Sequence, residues 1–213
     1  MQSFLMERKL KKKKNRYKTE IRKMKKYLFT MLAAVLCTTA FAKDPIKTTS
    51  GNPAVIQGKK IYVTIDNSTT IIVDEDSKKE MSIEEFCKMQ GGDWLKDMGK
   101  DDVEALEEFN MTLSDKSKKF EVVSNKADAD YILVCKADKF SYGNPFAFSG
   151  FMSNDTNGFF IGRFFIQTPS GETVAEMSCS KITADNTLMS WTRQKRYVYQ
   201  FVAKRLASFL NKA

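Results

Sequence analysis

The sequence predicts an α+β fold, a mostly antiparallel sheet with two amphipathic helices packed on one face. Three observations carry this. Segments with two-residue alternation, separated by turn chemistry, recur between residues 59 and 183. Around 101–113 and 187–211 the apolar period changes to three or four residues. The run of hairpin-like strands lies between those two helical stretches, a pattern of α+β rather than of alternating βαβ units.

The chain opens with 23 residues, "MQSFLMERKLKKKKNRYKTEIRK", ahead of Met24. "MKKYLFTMLAAVLCTTAFAKDP" follows. Lys25 and Lys26 precede an apolar run from Tyr27 to Leu36, and Ala40-Phe41-Ala42 closes it. That order is the tripartite secretory signal, with cleavage expected after Ala42. The run is too short to span a membrane, which takes about 20 apolar residues. Cys37 raises the alternative of lipidation, but bulky Leu36 stands where a lipoprotein signal has a small residue. Residues 1–23 are then an upstream extension with translation starting at Met24. A basic nucleic-acid-binding arm at Lys11–Lys14 is the other reading, and its place ahead of an export signal argues against it.

Charge follows the same boundary. The whole chain holds 35 basic and 26 acidic residues, for a formal charge of +9. Residues 1–42 contain 12 of the basic and 2 of the acidic ones, which leaves 23 and 24, or −1, for the remaining 171 residues. Cleavage therefore removes the basic footprint, and no nucleic-acid partner is expected. A chain of that size suits one domain with a full core.

Residues 43–58 hold two Pro, two Gly and several Ser and Thr, and read as a flexible lead-in to a single α+β domain at 59–213. In "KKIYVTIDNSTTIIVDED", Ile61, Val63 and Ile65 alternate with Tyr62 and Thr64. Asp66-Asn67-Ser68 is turn chemistry and 70–73 is β-branched, which predicts two short strands joined by a turn. Ser82 with Glu85 is a capping box, and Ile83, Phe86 and Cys87 share a helical face until Gly91-Gly92 interrupts. A second helix is expected from near Asp101. Val103, Leu106, Phe109 and Leu113 form its stripe, and Glu104, Glu107 and Glu108 face water.

"KFEVVSNKADADYILVCKADKF" holds a short strand, an acidic turn and a long strand. Asp128 and Asp130 lack the loop pattern of a calcium site and read as turn residues. Residues 158–183 form the clearest hairpin, with Pro169 and Gly171 at its turn. Pairing Thr168 with Glu172 sets Phe165 against Ala175 and Ile161 against Cys179. In the last helix, Val198, Val202, Leu206 and Leu210 make the stripe, widened by Trp191, Phe201 and Phe209. Arg193, Lys195, Arg196, Lys204 and Arg205 form the other surface, a solvated face rather than a lipid-binding one.

The segment 140–160, "FSYGNPFAFSGFMSNDTNGFF", joins two strands but is far longer than a hairpin turn. Loops of this length without regular structure are commonly functional or disordered. Tyr142, Phe146, Phe148 and Phe151 are the candidate partner-binding residues, and the alternative is that the rings fold back over the core. "NGFFIGRFF" brushes against an RNA-recognition strand pattern, which the export signal argues against. The order of "FEVV", "ADADYILVCKAD", a hairpin with "TPSGETV" and a long closing helix resembles small bacterial envelope proteins. Their fold is similar to the TolB amino-terminal domain and the curli-secretion lipoprotein family. The resemblance covers roughly 59–211 and implies assembly or interaction work in the periplasm. The chain departs from it in lacking a lipidation Cys and in adding the hairpin near residue 66 and the aromatic loop.

The sequence contains no His, which removes Ser-His-Asp and Cys-His nucleophile systems and imidazole metal sites. Cys87, Cys135 and Cys179 are 48 and 44 residues apart, too far for a C-x-x-C redox pair or a zinc knuckle. Cys135 and Cys179 are expected to stay unbonded, because a meander would put a strand between them. No cofactor motif is present. The function expected is a non-catalytic binding or assembly module, periplasmic or secreted, for an envelope protein or polymer. The alternative is an Asp/Glu-dependent hydrolase of envelope glycans, which needs two facing carboxylates in a cleft.

Overall fold

Three long strands set the frame. In the computed structural model, which describes residues 44–74, 77–91, 94–143, 157–184 and 191–213, β6 (Tyr131–Ser141), β7 (Phe159–Gln167) and β8 (Thr173–Thr183) run as an antiparallel meander. Around them lie β1 (Ile46–Gly51), β2 (Lys60–Asp66), β3 (Ile71–Val73), β4 (Glu80–Ser82) and β5 (Glu121–Val123). The sheet order is β1-β8-β7-β6-β2-β5, with β3 on β6 and β4 on β3. Three helices, α1 (Ile83–Gln90), α2 (Trp94–Lys116) and α3 (Trp191–Lys212), complete an α+β fold on a mixed, mostly antiparallel sheet. Asp44–Ala213 form one compact unit.

The expected turn between residues 66 and 70 exists, but β2 and β3 do not pair with each other. Both lie parallel to β6, β2 from Ile61↔Tyr131 to Asp66↔Lys136 and β3 from Ile71↔Lys139 onward. From Asp66 to Ile71 the chain advances five positions while β6 advances three. The two segments are thus one interrupted strand, and the surplus residues bulge out at 67–70, as bulges do where a strand re-aims its side chains. The lead-in at 43–58 is also more ordered than its composition suggests. Ile46–Gly51 pairs antiparallel with β8, and a short 3-10 turn follows at Pro53–Ile56. Only Ile46 of β1 is buried, so no alternation marks this edge strand.

The hairpin turn forms as expected. The Thr168 amide donates to the Glu172 carbonyl (2.9 Å) and the Gly171 amide to the Thr168 carbonyl (2.9 Å), with Gly171 at φ 93°. The register does not follow from it. The pairing slips by one residue after Gln167↔Thr173, giving Ile166↔Ala175 and Phe164↔Met177. Such a slip moves a strand's inward set to the other face. Phe160, Phe164 and Ile166 therefore enter the core with Ala175, Met177 and Cys179, while Ile161 and Phe165 are half-buried opposite.

Against the core side of the sheet lie Ala105, Phe109 and Leu113 of α2 and Val198, Val202, Leu206 and Leu210 of α3, all fully buried. The α3 stripe is as expected. On α2, Val103 is instead 57% exposed and Ala105 takes the core position. Helix α2 begins at Trp94, before the expected start. Its polar ties to α3 advance together: Arg196 Nε to Glu104 Oε2 (3.5 Å), Gln200 Nε2 to Glu108 Oε1 (2.8 Å), Asn211 Nδ2 to the Lys116 carbonyl (2.9 Å). The two helices thus run parallel. Of the three glutamates expected in water, Glu107 is exposed, whereas Glu104 and Glu108 make these ties and are half-buried.

Candidate functional site

The bulge at 67–70, the start of α1 and the first half of α2 enclose a cleft of about 660 Å3. It is lined by Ile65, Asp66, Asn67, Ser68, Ile83, Glu84, Asp102, Val103 and Leu106. Each wall has a local cause. Asp66 turns the chain by accepting from both the Ser68 amide (3.0 Å) and the Ser68 hydroxyl (2.6 Å), an Asx turn. Ser82 caps α1: its hydroxyl accepts from the Glu85 amide (3.2 Å) while the Glu85 carboxylate accepts from the Ser82 amide (2.8 Å). The capping box fixes where Ile83 and Glu84 point. On α2, Asp102 and Leu106 lie four residues apart on one side, with Val103 next to them.

The lining is part aliphatic and part anionic. Ile65, Ile83, Val103 and Leu106 supply four aliphatic side chains, and Asp66, Glu84 and Asp102 supply three carboxylates, with no cation among the lining residues. Two of the carboxylates are held from behind. Asp66 ion-pairs with Lys136 (3.2 Å), and its hydrogen bonds from Ser68, aided by Lys136, hold its pKa below the usual carboxylate value. Asp102 ion-pairs with Lys195 and accepts from Asn67 Nδ2 (2.9 Å). Asn67 in turn accepts from the Tyr199 hydroxyl (2.8 Å). One network thus joins the bulge, α2 and α3.

Lys195 corrects the expectation for the basic face of α3. Its side chain is 4% exposed, against 41% for its partner Asp102. Arg193, Lys204 and Arg205 are exposed as expected, and Arg196 is half-buried. The spacing carried the signal: Lys195 lies three residues before Val198 and seven before Val202, on the buried stripe. Likewise Asp102 lies three before Ala105 and seven before Phe109.

Tyr142 is not displayed on a loop. It is 2% exposed, its ring stacked on Phe86 at 5.4 Å and edge-on to Phe140 at 5.0 Å. Burial, with Asp101 and Asp102 nearby, pushes its phenol well above the usual range. Phe159 and Phe160 are likewise buried. Of these rings, Phe86, Phe140, Tyr142 and Phe160 belong to the core. Phe146, Phe148 and Phe151 lie outside the described residues. Cys87, Cys135 and Cys179 are buried, Cys135 and Cys179 as free thiols, and β7 separates Cys135 from Cys179 as the meander required. Burial raises all three thiols, Cys179 to about 12, with Lys195 partly offsetting the rise at Cys87. None has the lowered pKa of a reactive thiolate. Among the described residues, no group of three acidic or Cys side chains could hold a metal ion, and no helix is long and apolar enough to cross a membrane.

No protein-family model matches the chain, and no curated protein sequence does. Among solved structures the chain is similar to a PelC dodecamer from Paraburkholderia phytofirmans. That match has 13% identity and a TM-score of 0.38, covering 75% of this chain and 96% of that one. It is also similar to a DUF4136 family protein from Bacteroides thetaiotaomicron, at 12% identity and a TM-score of 0.32, covering 78% of this chain and 96% of that one. At these TM-scores the likeness assigns neither family nor function, and it does not bear out the resemblance to the TolB amino-terminal domain.

Proposed function

We propose that the chain is exported to the periplasm and serves in the bacterial envelope as a non-catalytic binding or assembly module, with the cleft beside α2 as its binding site. The observation that carries this is the pairing of two of the cleft's carboxylates within the fold, beside aliphatic side chains. A glycosidase needs one carboxyl kept protonated by a raised pKa and a second facing it as base or nucleophile. Asp66 is instead held ionised by Ser68 and Lys136, and Asp102 is ion-paired with Lys195 and accepts from Asn67, so neither stands free to face a partner carboxyl. Paired carboxylates beside Ile65, Ile83, Val103 and Leu106 suit recognition, in which apolar contacts supply affinity and charged groups supply specificity. Export rests on the basic start, short apolar run and Ala40-Phe41-Ala42 end of residues 24–42. The experiment is site-specific photocrosslinking from Val103 in intact cells, followed by mass spectrometry. A discrete adduct with an envelope protein or polymer supports the module. Absence of any adduct, together with glycan hydrolysis lost in Glu84→Gln, would establish the hydrolase instead.

A further inference from the structure

Resting on the cleft as a binding site, we infer that its occupant is a cationic, amphipathic polypeptide segment. Three features select this chemistry. Three carboxylates line the cleft and no cation does; Lys136 and Lys195 pair Asp66 and Asp102 from outside the lining, so exposed Glu84 is the carboxylate that Lys or Arg side chains of a ligand would complement and an anionic segment would not. The four aliphatic residues of the lining call for apolar side chains on the same face of the ligand, and Lys and Arg stems add apolar surface of their own. The shape then separates a segment from a compact small molecule. Small-molecule pockets enclose most of their ligand's surface. This cleft is open on its outer side, where Glu84 is exposed and Val103 is 57% exposed. An open groove along a helix takes a chain segment that lays one face into it.

Two of the carboxylates are held in place by the fold. Lys195 and Asn67 position the Asp102 carboxylate from behind, and Ser68 does the same for Asp66, so a bound cation meets prepared partners rather than mobile side chains. Lys136 and Lys195 neutralise part of this charge from within the fold. Glu84, on the exposed first turn of α1, therefore contributes the largest share of the attraction felt by an incoming segment.

The test is a fluorescence-anisotropy titration of the full chain with two labelled synthetic helical peptides of one length, one of Leu and Lys, the other of Leu and Glu. The Leu/Lys peptide should bind at least about tenfold more tightly, with an advantage that shrinks as salt rises. Glu84→Lys and Val103→Asn, both at exposed positions that leave the core intact, should each weaken it by about tenfold or more. Equal binding of both peptides, lost in both variants, would overturn the cationic partner and leave the cleft as a binding site. Binding that neither variant alters would overturn cleft and partner together. Failure of both peptides to bind would overturn this inference, and crosslinking from Val103 would then decide the cleft separately.

Discussion

The Lys195–Asp102 pair predicts an asymmetry between its two partners. Lys195 is 4% exposed and Asp102 41%, so removing one is not equivalent to removing the other. Asp102→Asn keeps the shape but strands a buried ammonium without its counter-charge. Breaking a buried pair in this way costs about 3–5 kcal/mol, and access of water to the Asp102 side places this case near the lower end, about 3 kcal/mol. Lys195→Met removes the cation and fills its stem with a flexible apolar chain. It leaves Asp102 partly hydrated and still bonded to Asn67, so the cost falls to about 1 kcal/mol. For a domain of this size, 1 kcal/mol shifts Tm by about 2–4 °C, so Asp102→Asn should lower Tm by about 6–12 °C and Lys195→Met by about 2–4 °C. The double variant should be more stable than Asp102→Asn alone, because no charge is left stranded. Thermal and urea unfolding at pH 7, followed by circular dichroism, measures all three. A Lys195→Met loss equal to or greater than that of Asp102→Asn would refute the assignment of the buried charge.

Gly162→Ala should cost about 3 kcal/mol or prevent folding, since its Cβ would stand 2.2 Å from the Lys136 carbonyl and 2.6 Å from the Phe160 ring; urea unfolding measures the loss. Asp66→Asn should cost under about 1 kcal/mol at pH 7. The folded pKa of Asp66 lies below 3.8, so its contribution is complete above that value and fades as pH falls through the folded one. The wild-type and Asn curves should therefore converge at the acid end of a stability–pH series. Cys135 and Cys179 should react with a thiol reagent only on unfolding, and mass spectrometry of the denatured, unreduced chain should find both as free thiols; a bridge between them would contradict the meander.

What was legible in the sequence is what neighbouring residues decide. The capping box at Ser82 and Glu85, the turn at Pro169–Gly171 and the stripe from Val198 to Leu210 are local, and each formed as expected. What was not legible is non-local. β2 pairs with a strand some 70 positions away, and nothing within 59–76 distinguishes a partner before it from one beside it. The one-residue slip after Gln167 has no residue signature and reverses which phenylalanines of β7 face inward. β1 buries only Ile46, so its sequence carries no alternation to detect. The cleft falls between these cases. Its turn, its cap and its helix were each visible, but their convergence depends on the bulge at 67–70. Lys195 and Asp102 could have been found by following the helical period through charged positions instead of assigning every charge to solvent.

Methyl-resolved NMR titration of the full chain with the Leu/Lys peptide tests the binding cleft most directly. The largest shift changes should fall on Ile65, Ile83, Val103 and Leu106, with little change at Val198, Val202, Leu206 and Leu210 in the core. Changes centred on any other surface, with those four methyl sets unmoved, would contradict the cleft as the site of binding.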